Sequence, residues 1–308
     1  MNAQHRAAPK DGMRVRFDRS AVERVRPGLV DELRRDPATR VLVVRGDTAQ
    51  VTDGPLTELR MVGADEAPDD AEWAFLGRAG DGGAVLLARA GSPDQPEPGW
   101  ASLRAVAGDL GAADGDLLST AVSLGRWLRD SAFCARCGQP CTLENAGWSR
   151  RCTGCGTEHF PRTDPAVIVA VTSDADPERL LLGSNALWGA NRYSCFAGFV
   201  EAGESAEAAV ERELFEEAGV RVRDVRYRRS QPWPYPRSLM LGFRARAVDD
   251  DEARADGEEI AALRWFTRAE IGEALVRGDW TTGGDGLLLP GRASIAHGLI
   301  AEWYAETA

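Results

Sequence analysis

GFVEAGESAEAAVERELFEEAGV, residues 198–220, decides how the rest of the chain is read. Gly198 is followed after five residues by Glu204, and after seven more by Arg212-Glu213-Leu214-Phe215-Glu216-Glu217-Ala218-Gly219-Val220. Ser205 is suited to an N-cap, and the Ala, Glu, Val and Leu that follow are mostly good helix formers. Gly219 suits the left-handed position just beyond a helix end. The stretch therefore reads as a loop followed by a helix over about 206–218. At about 100° per residue, Val210, Leu214 and Ala218 form a buried stripe, with Glu213, Glu216 and Glu217 along its edge. Carboxylates one turn apart repel by a few tenths of a kcal/mol per pair. Arg212 offsets part of that repulsion, and a hard divalent cation with oxygen ligands would offset the rest. An ordinary solvated acidic face is the alternative, and spacing alone leaves both open.

The chain has 308 residues, enough for two domains and a small third module. Its 44% hydrophobic content supports real cores. No stretch nears the about 18 apolar residues of a membrane helix. MNAQHRAAPKDG at 1–12 lacks an apolar h-region and is expected to be a flexible tail rather than a signal peptide, which places the chain in the cytoplasm. A net charge of −11 argues against a broad nucleic-acid-binding face but leaves room for a small anionic substrate, since metal ions can invert the local field.

Between 13 and about 112, the apolar runs 41–44, 73–76 and 84–88 read as short strands, with Asp81-Gly82-Gly83 as a hairpin turn. The proline-bearing stretch 91–99 reads as a loop. Leu117, Ala121, Leu124 and Leu128 recur at helical spacing within 116–130. Next come Cys134-x2-Cys137 and, fourteen residues on, Cys152-x2-Cys155, each pair followed by a turn-forming glycine, Gly138 and Gly156. Four thiolates at this spacing close a tetrahedron around Zn²⁺ with no open position, so the metal is structural. Two disulfides are the alternative, disfavoured where thiols stay reduced. Cys141 and His159 are the nearby competitors; Cys141 reads as a spectator and Cys195 as a small buried hydrophobe.

Ala166–Val171 reads as a strand buried on both faces, and 180–183 as a second strand. Arg221, Arg223, Arg226, Arg228 and Arg229 read best as a solvated strand face. In SQPWPYPRS, residues 230–238, three alternating prolines are expected to hold the segment extended and display Trp233 and Tyr235. A tryptophan plugging the core is the alternative. Glu258 and Glu259 precede a strand, Ala261 to Phe266, that could carry one carboxylate to the acidic helix, and a closing helix is expected over 294–304.

At every fixed position, residues 198–220 match G-x5-E-x7-R-E-U-x-E-E-x-G-U with U aliphatic, and so resemble the Nudix box of diphosphate hydrolases. With the four-Cys ribbon before it, SQPWP-x-P-x-S after it and SIAHGLIAEW at 294–303, the chain resembles the NADH pyrophosphatase subfamily. That resemblance implies hydrolysis of NAD(H) to NMN(H) and AMP, and it extends to RNA carrying a 5′ NAD cap. It implies Mg²⁺ or Mn²⁺ on Glu213, Glu216, Glu217, Glu259 and the Ala197 carbonyl, with Arg212 in the catalytic set and Glu217 essential. It implies base stacking by Phe160, Phe199 and Trp233, a site lined by Gln231, Pro232, Trp233, Pro234, Tyr235, Pro236, Arg237 and Ser238, and a backbone approach by Ala296. Phe160 stands where the family often has Tyr, and Tyr235 where it often has Phe, so a hydroxyl contact at 160 is lost. A homodimer sharing its sites is implied as well.

The expected class is α+β: an N-terminal NADH pyrophosphatase-like, mixed β-rich domain at 13–130, a zinc ribbon at 131–160 and a Nudix α/β/α sandwich at 161–308. An NAD-dependent dehydrogenase is excluded because no GxGxxG opens a βαβ unit; Gly80, Gly82 and Gly83 come nearest and lack the third glycine. A non-catalytic zinc-ribbon nucleotide-binding module would be expected to have lost box glutamates, and all are present. A Nudix hydrolase of ADP-ribose or another nucleoside diphosphate derivative is the remaining alternative.

Overall fold

The computed structural model describes residues 17–52, 57–91, 97–280, 283 and 285–306. The expected tail at 1–12 lies outside these residues, as does most of the loop at 91–99. The chain divides into two units, Met1–Pro161 and Arg162–Ala308.

In the first unit α1 (Leu29–Arg35) precedes β1 (Arg40–Arg45), β2 (Thr48–Gln50), β3 (Glu72–Arg78), β4 (Ala84–Ala90) and β5 (Trp100–Ser102). These strands form a mixed sheet of order β3-β4-β1-β2-β5, with β1 parallel to β4 and the other pairs antiparallel. The β3–β4 hairpin closes over Asp81-Gly82-Gly83 as expected, with the Gly82 N–H donating to Ala79 O. After the short α2 (Leu103–Val106), α3 covers Ala112–Asp130. It starts before the apolar periodicity does, because its first turn is solvent-facing and carries Asp114 as a polar group near the N-terminus.

The four cysteines bracket a three-stranded sheet of β6 (Cys141–Glu144), β7 (Ser149–Cys152) and β8 (Glu158–His159). This ribbon is fastened to the preceding layer by polar contacts. The Trp148 indole N–H donates to Phe75 O at 2.7 Å, and the buried Arg150 guanidinium donates to Glu72 and to Leu128 O at 2.9 and 2.8 Å. A buried guanidinium needs such partners, since an unpaired one would cost several kcal/mol.

The second unit comprises β9 (Asp164–Thr172), β10 (Arg179–Asn185), β11 (Phe196–Phe199), α4 (Ala206–Ala218), β12 (Val222–Trp233), β13 (Ser238–Ala247), β14 (Ile260–Thr267), α5 (Arg268–Arg277) and α6 (Ile295–Ala305). The sheet order is β12-β13-β9-β10-β14, with β11 also paired to β9. β9, the apolar run read from sequence, is its centre. Successive side chains of a strand face opposite ways. Val167, Val169 and Val171 therefore pack with Val210, Leu214 and Ala218 of α4, while Ile168 and Ala170 pack with Ile271, Leu299 and Ile300 of α5 and α6. Full burial of a side chain such as Leu214 contributes about 1.5–3 kcal/mol. The result is a sheet between two helical layers.

The 230–238 stretch departs from expectation. Residues 230–233 complete β12, but 234–237 form a turn into β13, with Trp233 opposite Ser238. Proline fixes φ near −65°, a value that turns use as readily as extended chain does. Trp233 and Tyr235 are part-buried and meet edge to face, centroids 5.1 Å apart. Among the described residues no helix is long and apolar enough to cross a membrane.

Candidate active site and metal centre

Local sequence places the acidic helix closely. The Ser205 hydroxyl accepts from the Ala208 N–H at 3.2 Å, and Gly219 takes the left-handed conformation (φ 66°) that ends α4. A Cβ at Gly198 would lie 1.9 Å from the Glu213 carboxylate, so only glycine lets that side chain rest against β11. Arg212 ties the preceding loop to the helix. Its guanidinium meets Glu204 with two 2.9 Å hydrogen bonds, reaches Glu213 at 2.9 Å and Glu216 at 3.1 Å, and donates to Phe199 O at 2.9 Å. The Arg212 guanidinium, helped by the Glu201 N–H, holds the Glu204 carboxyl down to about 2.

Glu217 is different. It lies on the packed side of α4, is 5% exposed, and its Oε2 is buried without a hydrogen-bond partner. Burial first, then the negative charges of Glu259, Glu213, Asp256 and Glu216, push its carboxyl up to about 8. Glu213 is raised as well, chiefly by burial. Glu259, one residue before β14, stands close enough to act on both. An orphaned, buried carboxylate facing other carboxylates is what a hard divalent cation relieves, so these residues fit one. Their oxygens are not gathered tightly. Among the described residues the only set of three or more metal-ligating atoms all within 4.8 Å of one another is the cysteine set.

Asp256 is a further residue of this site. It accepts from the backbone N–H groups of Glu258, Glu259 and Ile260, which hold its carboxyl below the usual range, and its own N–H donates to Glu217 O. It thereby fixes the loop carrying Glu259 against the helix carrying Glu217. The Asp256-Gly257 dipeptide was the available signal, since it marks a turn in which Asp caps its own backbone.

The remaining expected residues distribute unevenly. Ala197, part-buried on β11, pairs with Ile168, and Phe199 ends that strand 52% exposed. Gln231 spends its amide on α6: it donates to Ala293 O and accepts from the Ile295 N–H, both at 2.7 Å. This brings β12 beside the start of α6, where Ala296 is buried with its N–H on the Ser294 hydroxyl at 3.1 Å. Pro232 and Pro236 are exposed and Pro234 and Ser238 buried, while Arg237 pairs with Asp164 at 2.8 Å. The arginine run on β12 is solvent-facing as expected, with Arg228 and Arg229 paired to Glu302. Phe160 is 47% exposed in the first unit.

In the ribbon, Cys134 and Cys155 sulfurs lie 3.7 Å apart and Cys137 and Cys152 sulfurs 3.4 Å apart, none in a disulfide. Zn–S bonds of about 2.3 Å in a tetrahedron give S···S edges of about 3.8 Å, so the set fits zinc. Gly138 and Gly156 take φ of 73° and 72° at the two knuckle turns. Cys141 stays outside the set, while the His159 Nε2 lies 3.2 Å from the Cys134 sulfur. Cys195 is a core residue, its thiol pushed up to about 12 by burial.

A NUDIX domain model matches residues 162–283, and a model described as the NADH pyrophosphatase zinc ribbon domain matches residues 129–160. A Mycobacterium bovis protein named NAD-capped RNA hydrolase NudC is 43% identical over 298 residues, covering 95% of this chain and 91% of its own length. The chain belongs to the Nudix hydrolase family, in its zinc-ribbon NudC branch. A human Nudix relative, NAD-capped RNA hydrolase NUDT12, is 37% identical over 195 residues, covering 61% of this chain and 41% of its own. Among solved structures, a NUDIX hydrolase from Nitrosomonas europaea aligns with 51% of this chain and 97% of its own, at 23% identity and a TM-score of 0.37.

Proposed function

We propose that this Nudix hydrolase cleaves the diphosphate of NAD(H) to NMN(H) and AMP, and removes an NAD cap from RNA 5′ ends by breaking the same bond. The observation that carries the reading is Glu217: a buried carboxylate with an unpartnered oxygen, set among Glu213, Glu216 and Glu259 on a Nudix-box helix. The names of the NudC and NUDT12 relatives support the substrate.

Glu213, Glu216, Glu217 and Glu259, with the Ala197 carbonyl, would hold Mg²⁺ or Mn²⁺. When bound, such an ion supplies charge neutralisation for the diphosphate and a lowered pKa for a coordinated water. The chain's own contribution is positional. Arg212 fixes Glu213 and Glu216 and keeps its charge among the carboxylates. Glu217, with its unpartnered Oε2, is the carboxylate on which turnover depends, as ligand to the ion or as base toward the water. Phe199 and Trp233 would stack a base, and stacking at about 1–3 kcal/mol per base favours dinucleotides without demanding one base. Phe160 belongs to the same proposed set on the resemblance alone, as do the lining role of residues 231–238, the approach of Ala296, a homodimer and a cytoplasmic location.

The test is an RNA oligonucleotide bearing a 5′ NAD, run beside NADH and ADP-ribose with Mg²⁺ or Mn²⁺. Release of NMN, leaving a 5′-monophosphate RNA, is the expected result. Cleavage of ADP-ribose alone would replace the substrate while keeping the chemistry, and sedimentation velocity decides the dimer.

A further inference from the structure

Two tryptophans outside the described site, Trp188 and Trp280, face each other with ring centroids 4.5 Å apart and planes tilted by 53°. Their setting follows from strand register. β12 ends at Trp233 opposite Ser238, which pairs with Asp164, the first residue of β9; Phe199 pairs with Ala166, also near that end. β10 runs antiparallel to β9, so its last residue, Asn185, returns to the same end of the sheet. There Asn185 pairs with Ile260, and the Ala186 N–H donates to Glu259 O at 2.8 Å. The Asn185 side chain accepts from the Leu187 N–H and its carbonyl from the Trp188 N–H, turning the chain at once. Trp188 thus emerges two residues beyond the one bonded to Glu259.

Trp280 is held from several sides. Its indole N–H donates to Leu288 O at 2.9 Å, its backbone N–H to Leu289 O at 3.1 Å, and its carbonyl accepts from the Arg192 guanidinium at 3.2 Å. Trp188 has only a short turn behind it, beside Leu187, which is 94% exposed. Both rings are part-buried. Trp233, Phe199, Glu259 and the turn carrying Trp188 therefore share this end of the sheet.

We propose that Trp188 and Trp280 form a second base-stacking platform, which holds the adenosine half of the dinucleotide while the diphosphate lies on the glutamates. This rests on the diphosphatase reading and adds a specificity element to it. Arg192, fixed beside Trp280, brings a positive charge next to the platform, suited to the phosphate of that half. The two rings already touch, so Trp280, fixed by its hydrogen bonds, backs Trp188, whose outer face takes the base.

The experiment uses the full-length, zinc-containing protein with Mn²⁺. It measures KM and kcat for NADH, inhibition constants for AMP and for NMN, and AMP-induced tryptophan quenching, in wild type, Trp188→Ala, Trp188→Leu and Trp188→Phe. In Trp188→Ala, the KM for NADH and the AMP inhibition constant are expected to rise about tenfold or more, with the loss carried by KM. NMN inhibition should hold its wild-type value. Trp188→Leu, which keeps apolar bulk but has no stacking face, should behave like Trp188→Ala, and Trp188→Phe should restore most of the AMP affinity. Unchanged AMP inhibition in Trp188→Ala overturns the proposal, as does equal weakening of AMP and NMN or rescue by leucine. Failure of wild type to cleave NADH would sink the diphosphatase reading instead, and AMP quenching across the variants would still decide the platform.

Discussion

In the proposed mechanism turnover depends on Glu217, a buried carboxyl set among other carboxylates. A carboxyl raised in the folded state from its ordinary 4.5 to about 8 binds more protons folded than unfolded. Its contribution to metal-free stability is therefore complete below about pH 4.5 and is lost as pH rises toward about 8. Divalent metal competes with that proton, so the rise in Tm produced by Mn²⁺ should be larger at pH 8 than at pH 6. Melting curves at the two pH values check this; an equal shift would remove Glu217 from the metal site. Glu217→Gln should lower kcat by about two to three orders of magnitude. Metal-free protein carrying it should melt no lower than wild type at pH 8, because the substitution removes a buried charge. Gly198→Ala places a methyl group 1.9 Å from the Glu213 carboxylate, and about 1–3 kcal/mol of stability should go with it, read by urea unfolding.

At the scale of elements, α4 is a helix whose start, stop and faces all have local causes. Ser205→Ala removes the hydroxyl that accepts from the Ala208 N–H and should cost about 1 kcal/mol, with a matching fall in Tm but no change in the pH dependence of turnover. This helix is legible in the sequence because its capping serine, apolar period and terminal glycine agree. The central strand β9 was legible for the same reason: an unbroken apolar run admits few other readings. The 234–237 turn was not, since proline restricts φ and leaves ψ to tertiary context. Asp256 escaped because its work is done through backbone N–H groups, which no side-chain pattern reveals. The Trp188–Trp280 pair brings together residues ninety-two positions apart, a juxtaposition set by strand register rather than by any local signal.

Across the molecule, the two units are suited to different metals for different reasons. The cysteine set has no open position, so zinc there is an architectural element, joined through Trp148 and Arg150 to the sheet of its own unit. Removing it with a strong chelator should lower the thermal stability of the first unit and move Trp148 out of its contact with Phe75, a change visible in tryptophan emission. The second unit gathers its reactive groups at one end of one sheet, where loops can vary while β9, α4 and α6 keep the geometry. The reaction proposed there is cleavage of a diphosphate bond that depends on Glu217. The most direct measurement is hydrolysis of NADH by wild type and Glu217→Gln with Mg²⁺ or Mn²⁺, the products separated by chromatography. NMNH and AMP from wild type, formed about a hundred- to a thousandfold more slowly by the variant, is the expected result; no turnover of NADH by wild type, or undiminished turnover by Glu217→Gln, would contradict it.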